Sequence, residues 1–222
     1  NDTAPRAMCV LRPLKLTITN FPEQDVTLLS APRHPNRPEL GERQLPFTRE
    51  LYIDRGDFSE DSTLSRKKFK RLVLGEWVRL RGAWVIRADD VVKDAAGQVI
   101  EVLASLVPDT IGANPPEGIR PRGVIHWVSA SEGRRATVRL YDRLFRNESP
   151  GDDAEDFLAD LNPQSLTEIH DCWVEPELAA AEPEQRFQFE REGYFVADRH
   201  DHSEANPLFN LTIGLKETWR KS

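Results

Sequence analysis

Apolar and polar residues alternate with a period of two along much of this chain. Leu14-Lys15-Leu16-Thr17-Ile18-Thr19 is the clearest run, and it is rich in strand-forming residues. Leu51-Tyr52-Ile53-Asp54, Trp84-Val85-Ile86-Arg87, Val99-Ile100-Glu101-Val102-Leu103 and Ala136-Thr137-Val138-Arg139-Leu140-Tyr141 repeat the pattern. Such alternation predicts half-buried strands. Gly123-Val124-Ile125-His126-Trp127-Val128 predicts another. Between two of these runs, Lys93-Asp94-Ala95-Ala96-Gly97-Gln98 predicts a hairpin turn, with Gly97 free to take a positive φ. Sixteen prolines punctuate the chain, and those clustered at 32–46 and 108–121 exclude long helices there. Two helices are expected. One runs from Ser59 to about Lys70, with Ser and Asp at its start and bases at its end, matching the helix dipole. The other runs from Asp152 to Leu161, with Phe157, Leu158 and Leu161 at helical spacing.

The turn-rich stretch Ile111-Gly112-Ala113-Asn114-Pro115-Pro116-Glu117-Gly118 is the natural boundary. It divides the chain into units at 1–118 and 119–222, each long enough to bury a core. The expected fold class is all-β: two small β-barrels with a few short helices, with strands near both termini shared between them. No internal repeat is visible.

Charge sharpens this picture. The 222-residue chain carries a formal net charge of -7, yet residues 66–81 hold seven bases and one acid, Glu76. Residues 151–184 hold eleven acids and no Lys or Arg, and the rest of the chain is net positive. Local fields therefore say more than the global sum. The basic run suggests a docking surface for a polyanion, and the acidic segment either faces solvent or contacts something basic. Within the run, Val78-Arg79-Leu80-Arg81 alternates. Val78 and Leu80 would enter a core, leaving Arg79 and Arg81 on the other face, about 6.6 Å apart. Two guanidinium groups at that spacing suit adjacent phosphates or bases of a single strand.

The residues also resemble a known family. Arg71-Leu72-Val73-Leu74-Gly75 with Val78-Arg79-Leu80-Arg81 resembles the anticodon-binding region of bacterial glutaminyl-tRNA synthetase. So do Ala4-Pro5-Arg6-Ala7-Met8, the run from His34-Pro35-Asn36 to Asp57-Phe58, and Gly123 to Ala130. Arg139-Leu140-Tyr141-Asp142-Arg143-Leu144-Phe145 and Phe187-Gln188-Phe189-Glu190-Arg191-Glu192-Gly193-Tyr194-Phe195 complete an ordered set over nearly the whole chain. The resemblance implies that Arg6, Gln188 and Arg191 read the middle anticodon base, a uridine. It implies that Arg71 reads the third base, a guanosine, that Arg79 and Arg81 serve the first base and its phosphate, and that Lys70 lies against the RNA backbone. Arginine can donate two parallel bonds to the O6 and N7 edge of guanine. Glutamine supplies the donor and acceptor that a uracil edge needs. Lys68 departs from the pattern, standing where a relative carries glutamine, and its role is left open.

The same resemblance implies a tRNA for glutamine as partner, and an N-terminal catalytic domain of the same protein that uses ATP with Mg. The class I signatures of that domain are absent from these residues, and so is a Gly-rich phosphate loop. No catalytic residue, metal site or cofactor is therefore expected within this fragment. The N-terminal residues carry no signal-peptide pattern and read as a piece of a longer chain. No apolar run approaches the roughly 18 residues that a membrane helix needs. A cytoplasmic monomer is expected, with Cys9 and Cys172 as free thiols. His200-Asp201-His202 is expected to be a surface turn and His126-Trp127 structural, and Phe69, Trp77 and Trp84 are expected in the core more than against bases. Two competing readings are a structural or protein-interaction appendage that docks through the acidic segment, and the equivalent region of a non-bacterial-type glutamyl-tRNA synthetase.

Overall fold

The computed structural model describes residues 3–146 and 157–215. Its first strands are β1 (Arg6–Ala7), β2 (Cys9–Val10), β3 (Pro13–Ile18), β4 (Thr27–Pro32), β5 (Glu42–Phe47) and β6 (Glu50–Asp54). Then come β7 (Phe58–Ser59), β8 (Leu72–Val73), β9 (Trp77–Leu80), β10 (Val85–Lys93), β11 (Val99–Val107), β12 (Val124–Ile125) and β13 (Val128–Ser129). The last are β14 (Arg134–Tyr141), β15 (Leu166–Val174), β16 (Arg186–Phe189), β17 (Gly193–Ala197) and β18 (Leu208–Gly214). Among the described residues, helix is confined to α1 (Pro176–Ala179) and short 3-10 turns at Pro38–Leu40, Arg55–Asp57 and Phe157–Asp160. The all-β class expected from the alternation is the one observed, as one nearly closed barrel-like sheet and one half-barrel sheet.

Two seven-stranded sheets carry the fold. One has the order β12-β9-β10-β11-β3-β6-β13, the other β1-β16-β17-β18-β14-β15-β2. Thus β1 and β2, first in the chain, belong to the sheet built mainly from its end, while β12 and β13 return to the other sheet after the proline-rich stretch. The alternation explains the burial. In β3, Leu14 and Leu16 point into the first core, joined there by Leu51, Ile53, Val78, Leu80 and Trp127. The second core centres on Phe189, Phe195 and Phe209. Phe189 stacks on Phe195 at 4.3 Å between centroids, and Phe209 meets Phe189 edge-on at 5.2 Å. Between the cores, Ala7 and Cys9 pack into the second and Met8 and Val10 into the first. One short extended segment is therefore buried on both faces. Cys9 and Cys172 are buried free thiols, and burial together with the neighbouring thiol raises the Cys9 pKa.

The β10–β11 hairpin closes as its turn residues require. Asp94 Oδ1 accepts from Ala96 N and Gln98 N, each at 2.9 Å, and Gly97 has φ 79°. The helix expected over 59–70 does not form. After β7 the chain makes successive turns whose amides bond to Ser59, Asp61 and Ser65 side chains. These residues often cap helices, but here they satisfy local turns instead. A helix would also stack Arg66 over Lys70, a repulsive i,i+4 pair. The expected second helix lies partly outside the described residues, and its described part is the 3-10 turn Phe157–Asp160. The acidic segment meets bases of the chain itself: Glu168 pairs with Arg139, Asp171 with Arg135, Glu175 with Arg43, Glu177 with Arg33 and Glu184 with Arg199.

Candidate nucleic-acid interface

The 64–71 loop is held in place by two neighbouring residues whose role the sequence did not show. Arg122, whose side chain is 1% exposed, donates to the carbonyls of Phe69 and Leu64. Gly123 packs directly on the Lys70 carbonyl, which would lie 2.2 Å from a Cβ at that position. The loop is thus pinned by its own backbone, and its bases turn outward. Lys67, Lys68 and Lys70 are exposed, and none forms an ion pair among the described residues. Arg66 pairs with Glu76. An exposed cluster of unpaired ammonium groups suits non-specific phosphate attraction.

Arg71 is held more firmly. Its Nε lies 3.1 Å from Asp57 Oδ1, and its Nη1 donates to the Gly56 carbonyl at 2.6 Å. Its Nη2 keeps no protein partner among the described residues, leaving the outer edge of the guanidinium open. Asp57 is nearly fully buried at the end of the 55–57 turn. Its carboxylate also takes a two-pronged bond from Arg191, at 2.5 and 2.7 Å. The structure therefore brings Arg71 and Arg191, 120 residues apart in sequence, onto one carboxylate.

Arg191 occupies the turn between β16 and β17 at φ 69°, an unusual conformation for a residue with a Cβ. Gly193 closes that turn, and a Cβ there would lie 2.6 Å from the Ile213 carbonyl. All three turn residues reach toward the first sheet. Glu190 Oε2 lies 3.0 Å from Arg81 Nε, and Glu190 Oε1 is 3.5 Å from Arg43 Nη2. Arg191 Nη1 lies 3.3 Å from His126 Nδ1. Glu192 Oε1 lies 4.0 Å from His126 Nε2. Burial lowers the His126 pKa, so the ring is neutral and can accept from Arg191 through Nδ1. Burial, reinforced by Asp54, pushes Glu192 up to about 7.

Arg6 and Gln188 stand side by side. They are register partners in the parallel β1–β16 ladder, so their side chains leave the same face. Gln188 is nearly buried, yet its Oε1 accepts no hydrogen bond, and the buried Arg6 Nε donates none. One donor and one acceptor are left open on directly paired residues. Buried polar atoms are rarely left so.

Arg79 and Arg81 leave the same face of the β9 segment, with Val78 and Leu80 buried as the alternation requires. Their guanidinium groups part company, however. Arg79 donates to the carbonyls of Thr110 and Ala113 in the loop after β11, while Arg81 pairs with Glu190. Arg79 thus braces a loop with much of its donor set. Of the aromatics, Trp84 packs against Phe21 and Phe47, Arg87 covers Trp77 at 5.6 Å, and Arg71 lies 5.8 Å over Phe69. Trp127 and His126 are buried. His202 is not on the surface as expected. It bonds the Leu208 backbone and the Ala181 carbonyl and packs edge-on against Phe209.

A cavity of about 710 Å³ opens beside the Asp57 pair, lined by Arg12, Arg71 and Arg191, by Asp54, Asp57 and Glu192, and by apolar residues including Leu11. Among the described residues no group of three His, Cys, Asp or Glu could hold a metal ion. No helix among them is long and apolar enough to cross a membrane.

Comparison with known proteins places this geometry. The anticodon-binding domain of class I tRNA synthetases for glutamate and glutamine matches residues 4–107, and a second such domain matches residues 124–198. The chain belongs to this family of anticodon-binding domains. Whole-chain relatives agree with that membership. A protein of Pseudomonas syringae pv. tomato named Glutamine--tRNA ligase is 52% identical over 221 residues, 99% of this chain and 38% of that protein. Its namesake in Vibrio campbellii is 52% identical over 100% of this chain and 39% of its own length. The Pseudomonas putida ligase is 54% identical over 98% of this chain and 38% of its own length. This anticodon-binding chain therefore spans under two fifths of the relatives it matches. The two matched domains together contain the basic run, Arg6 and the Gln188–Arg191 hairpin.

Proposed function

We propose that this chain reads the glutamine anticodon for a glutamine--tRNA ligase. The observation that carries the proposal is the open pair Arg6 Nε and Gln188 Oε1, on directly paired residues of the β1–β16 ladder that leads into the Arg191 turn. A uracil edge offers carbonyl acceptors flanking an N–H donor, so a free donor next to a free acceptor complements it. Arg71, with its outer edge open, is the reader of the third base, a guanosine. Arg81 serves the first base, with Arg79 bracing the adjoining loop, and Lys70 contacts the backbone. Splayed, unstacked bases present these edges, whereas a duplex would hide them.

In this reading the parent protein attaches glutamine to its tRNA with ATP and Mg²⁺ in the cytoplasm. That chemistry resides in a catalytic domain outside these residues. The naming of the relatives as glutamine--tRNA ligases favours glutamine over glutamate.

The test is binding of this chain to tRNA carrying the glutamine anticodon and to the same tRNA with its middle base changed, at several salt concentrations. Equal affinity throughout overturns the proposal. Arg71→Ala is expected to cost about 1–3 kcal/mol and to relax discrimination at the third base. Lys70→Ala is expected to weaken every sequence alike and to make the salt dependence shallower.

A further inference from the structure

We propose that Asp57 is a shared positioning residue of the site, a single carboxylate that orients Arg71 and Arg191 together and so couples discrimination at two anticodon bases. This rests on the functional reading above and extends it to a residue that contacts no base. Three observations converge. The Asp57 side chain is 3% exposed and spends both oxygens on the two arginines. The arginines come from opposite sheets, Arg71 from the edge of the β7–β8 ribbon against the first sheet and Arg191 from the β16–β17 turn of the second. Both line the same cavity.

The physical consequence follows from guanidinium geometry. A planar fork that is fixed along one edge presents its remaining donors in a fixed direction. For Arg71, Asp57 and the Gly56 carbonyl occupy the inner side and aim the free Nη2 outward. For Arg191, Asp57 grips both terminal nitrogens and neutral His126 backs Nη1, which fixes the plane of the group and sets where Nε and its turn lie. Gln188 is three residues earlier on the same hairpin, so a shift of Arg191 shifts Gln188 as well. A substitution at Asp57 therefore releases both readers at once, whereas a substitution at either arginine releases one.

The readout is a discrimination profile. Binding of this chain is measured for four tRNAs: matched, middle base changed, third base changed, and both changed. Loss of wild-type discrimination would overturn the functional reading itself, before Asp57 is considered. Given wild-type discrimination, Asp57→Asn is expected to shrink both single-base penalties, each by fivefold or more. Arg71→Ala is expected to shrink the third-base penalty alone. A purely structural role would weaken all four tRNAs by the same factor and leave the penalties unchanged, and that result overturns the proposal. So does a change confined to one base. Where Asp57→Asn does not fold, a cycle of Arg71→Lys, Arg191→Lys and the double variant decides instead. Coupling of fivefold or more in the dissociation constant for the matched tRNA supports the shared carboxylate. Effects that combine independently to within about twofold overturn it.

Discussion

At the scale of single residues, the site depends on atoms that are not bases at all. Gly123 contributes only the absence of a Cβ. The Lys70 carbonyl occupies the space where that atom would be, 2.2 Å away, so the backbone ahead of Arg71 can seat itself against the first sheet. Gly123→Ala would force that backbone outward. Overpacking against a fixed main chain typically costs about 1–3 kcal/mol. The expected outcome is a lower melting temperature together with weaker binding to every tRNA tested. Gly97→Ala is the useful comparison, since Gly97 meets no neighbouring atom and is strained only by its φ of 79°. Thermal melts of the two variants, read beside tRNA affinity, separate the effects. Gly97→Ala should lose stability without losing binding. Unchanged binding in Gly123→Ala would show that the seating of Lys70 is not needed.

At the scale of elements, burial on one face made most of the strands legible. A strand with one buried face must alternate, and β3, β6, β10, β11 and β14 all stand where alternation predicts them. The 59–71 segment was illegible for a definite reason. Ser, Asp and basic residues mark helix ends, but the same side chains close turns, and local sequence does not say which. Arg122 acts on the segment from more than fifty residues away, by taking the Leu64 carbonyl that a helix would have used and the Phe69 carbonyl at the helix's expected end. Arg71 and Arg191 were legible only through collinear motifs, and the role of Asp57 between them was not legible, since its partner Arg191 is 134 residues distant. Arg122→Leu keeps some bulk and removes the donors. It should free the loop while leaving both cores intact. Limited trypsin digestion is expected to cut this variant after Lys67 or Lys68 several times faster than the wild type, with a melting temperature reduced only slightly. Equal cleavage rates would mean that Gly123 and the local turns hold the loop unaided.

At the scale of the molecule, the two sheets are joined in two physically different ways. The segment 7–10 supplies an apolar joint, feeding Ala7 and Cys9 to one core and Met8 and Val10 to the other. The 190–192 turn supplies an ionic joint, and this one responds to pH. Glu192 is pushed up to about 7, chiefly by burial, with Asp54 and Asp57 adding repulsion and Arg191 and Arg71 opposing it. An unfolded glutamate titrates near 4.3. Between those values the folded chain holds a proton that the unfolded chain has lost. The associated stability is therefore complete at low pH and is lost as pH rises through about 7. His126 works in the opposite sense. Its lowered pKa means that the unfolded ring takes up a proton first, so its contribution is lost as pH falls below the ordinary histidine range. Glu192→Gln removes the first effect and keeps the second. Its melting temperature should match the wild type near pH 4, exceed it increasingly up to about pH 7 and hold that margin above it, by an amount on the order of 1–3 kcal/mol in stability. Melts of both proteins across that range check the sign directly. A difference that does not change with pH would mean that the Glu192 carboxylate is already solvated, and that the ionic joint between the sheets rests on Asp57 and Glu190 alone.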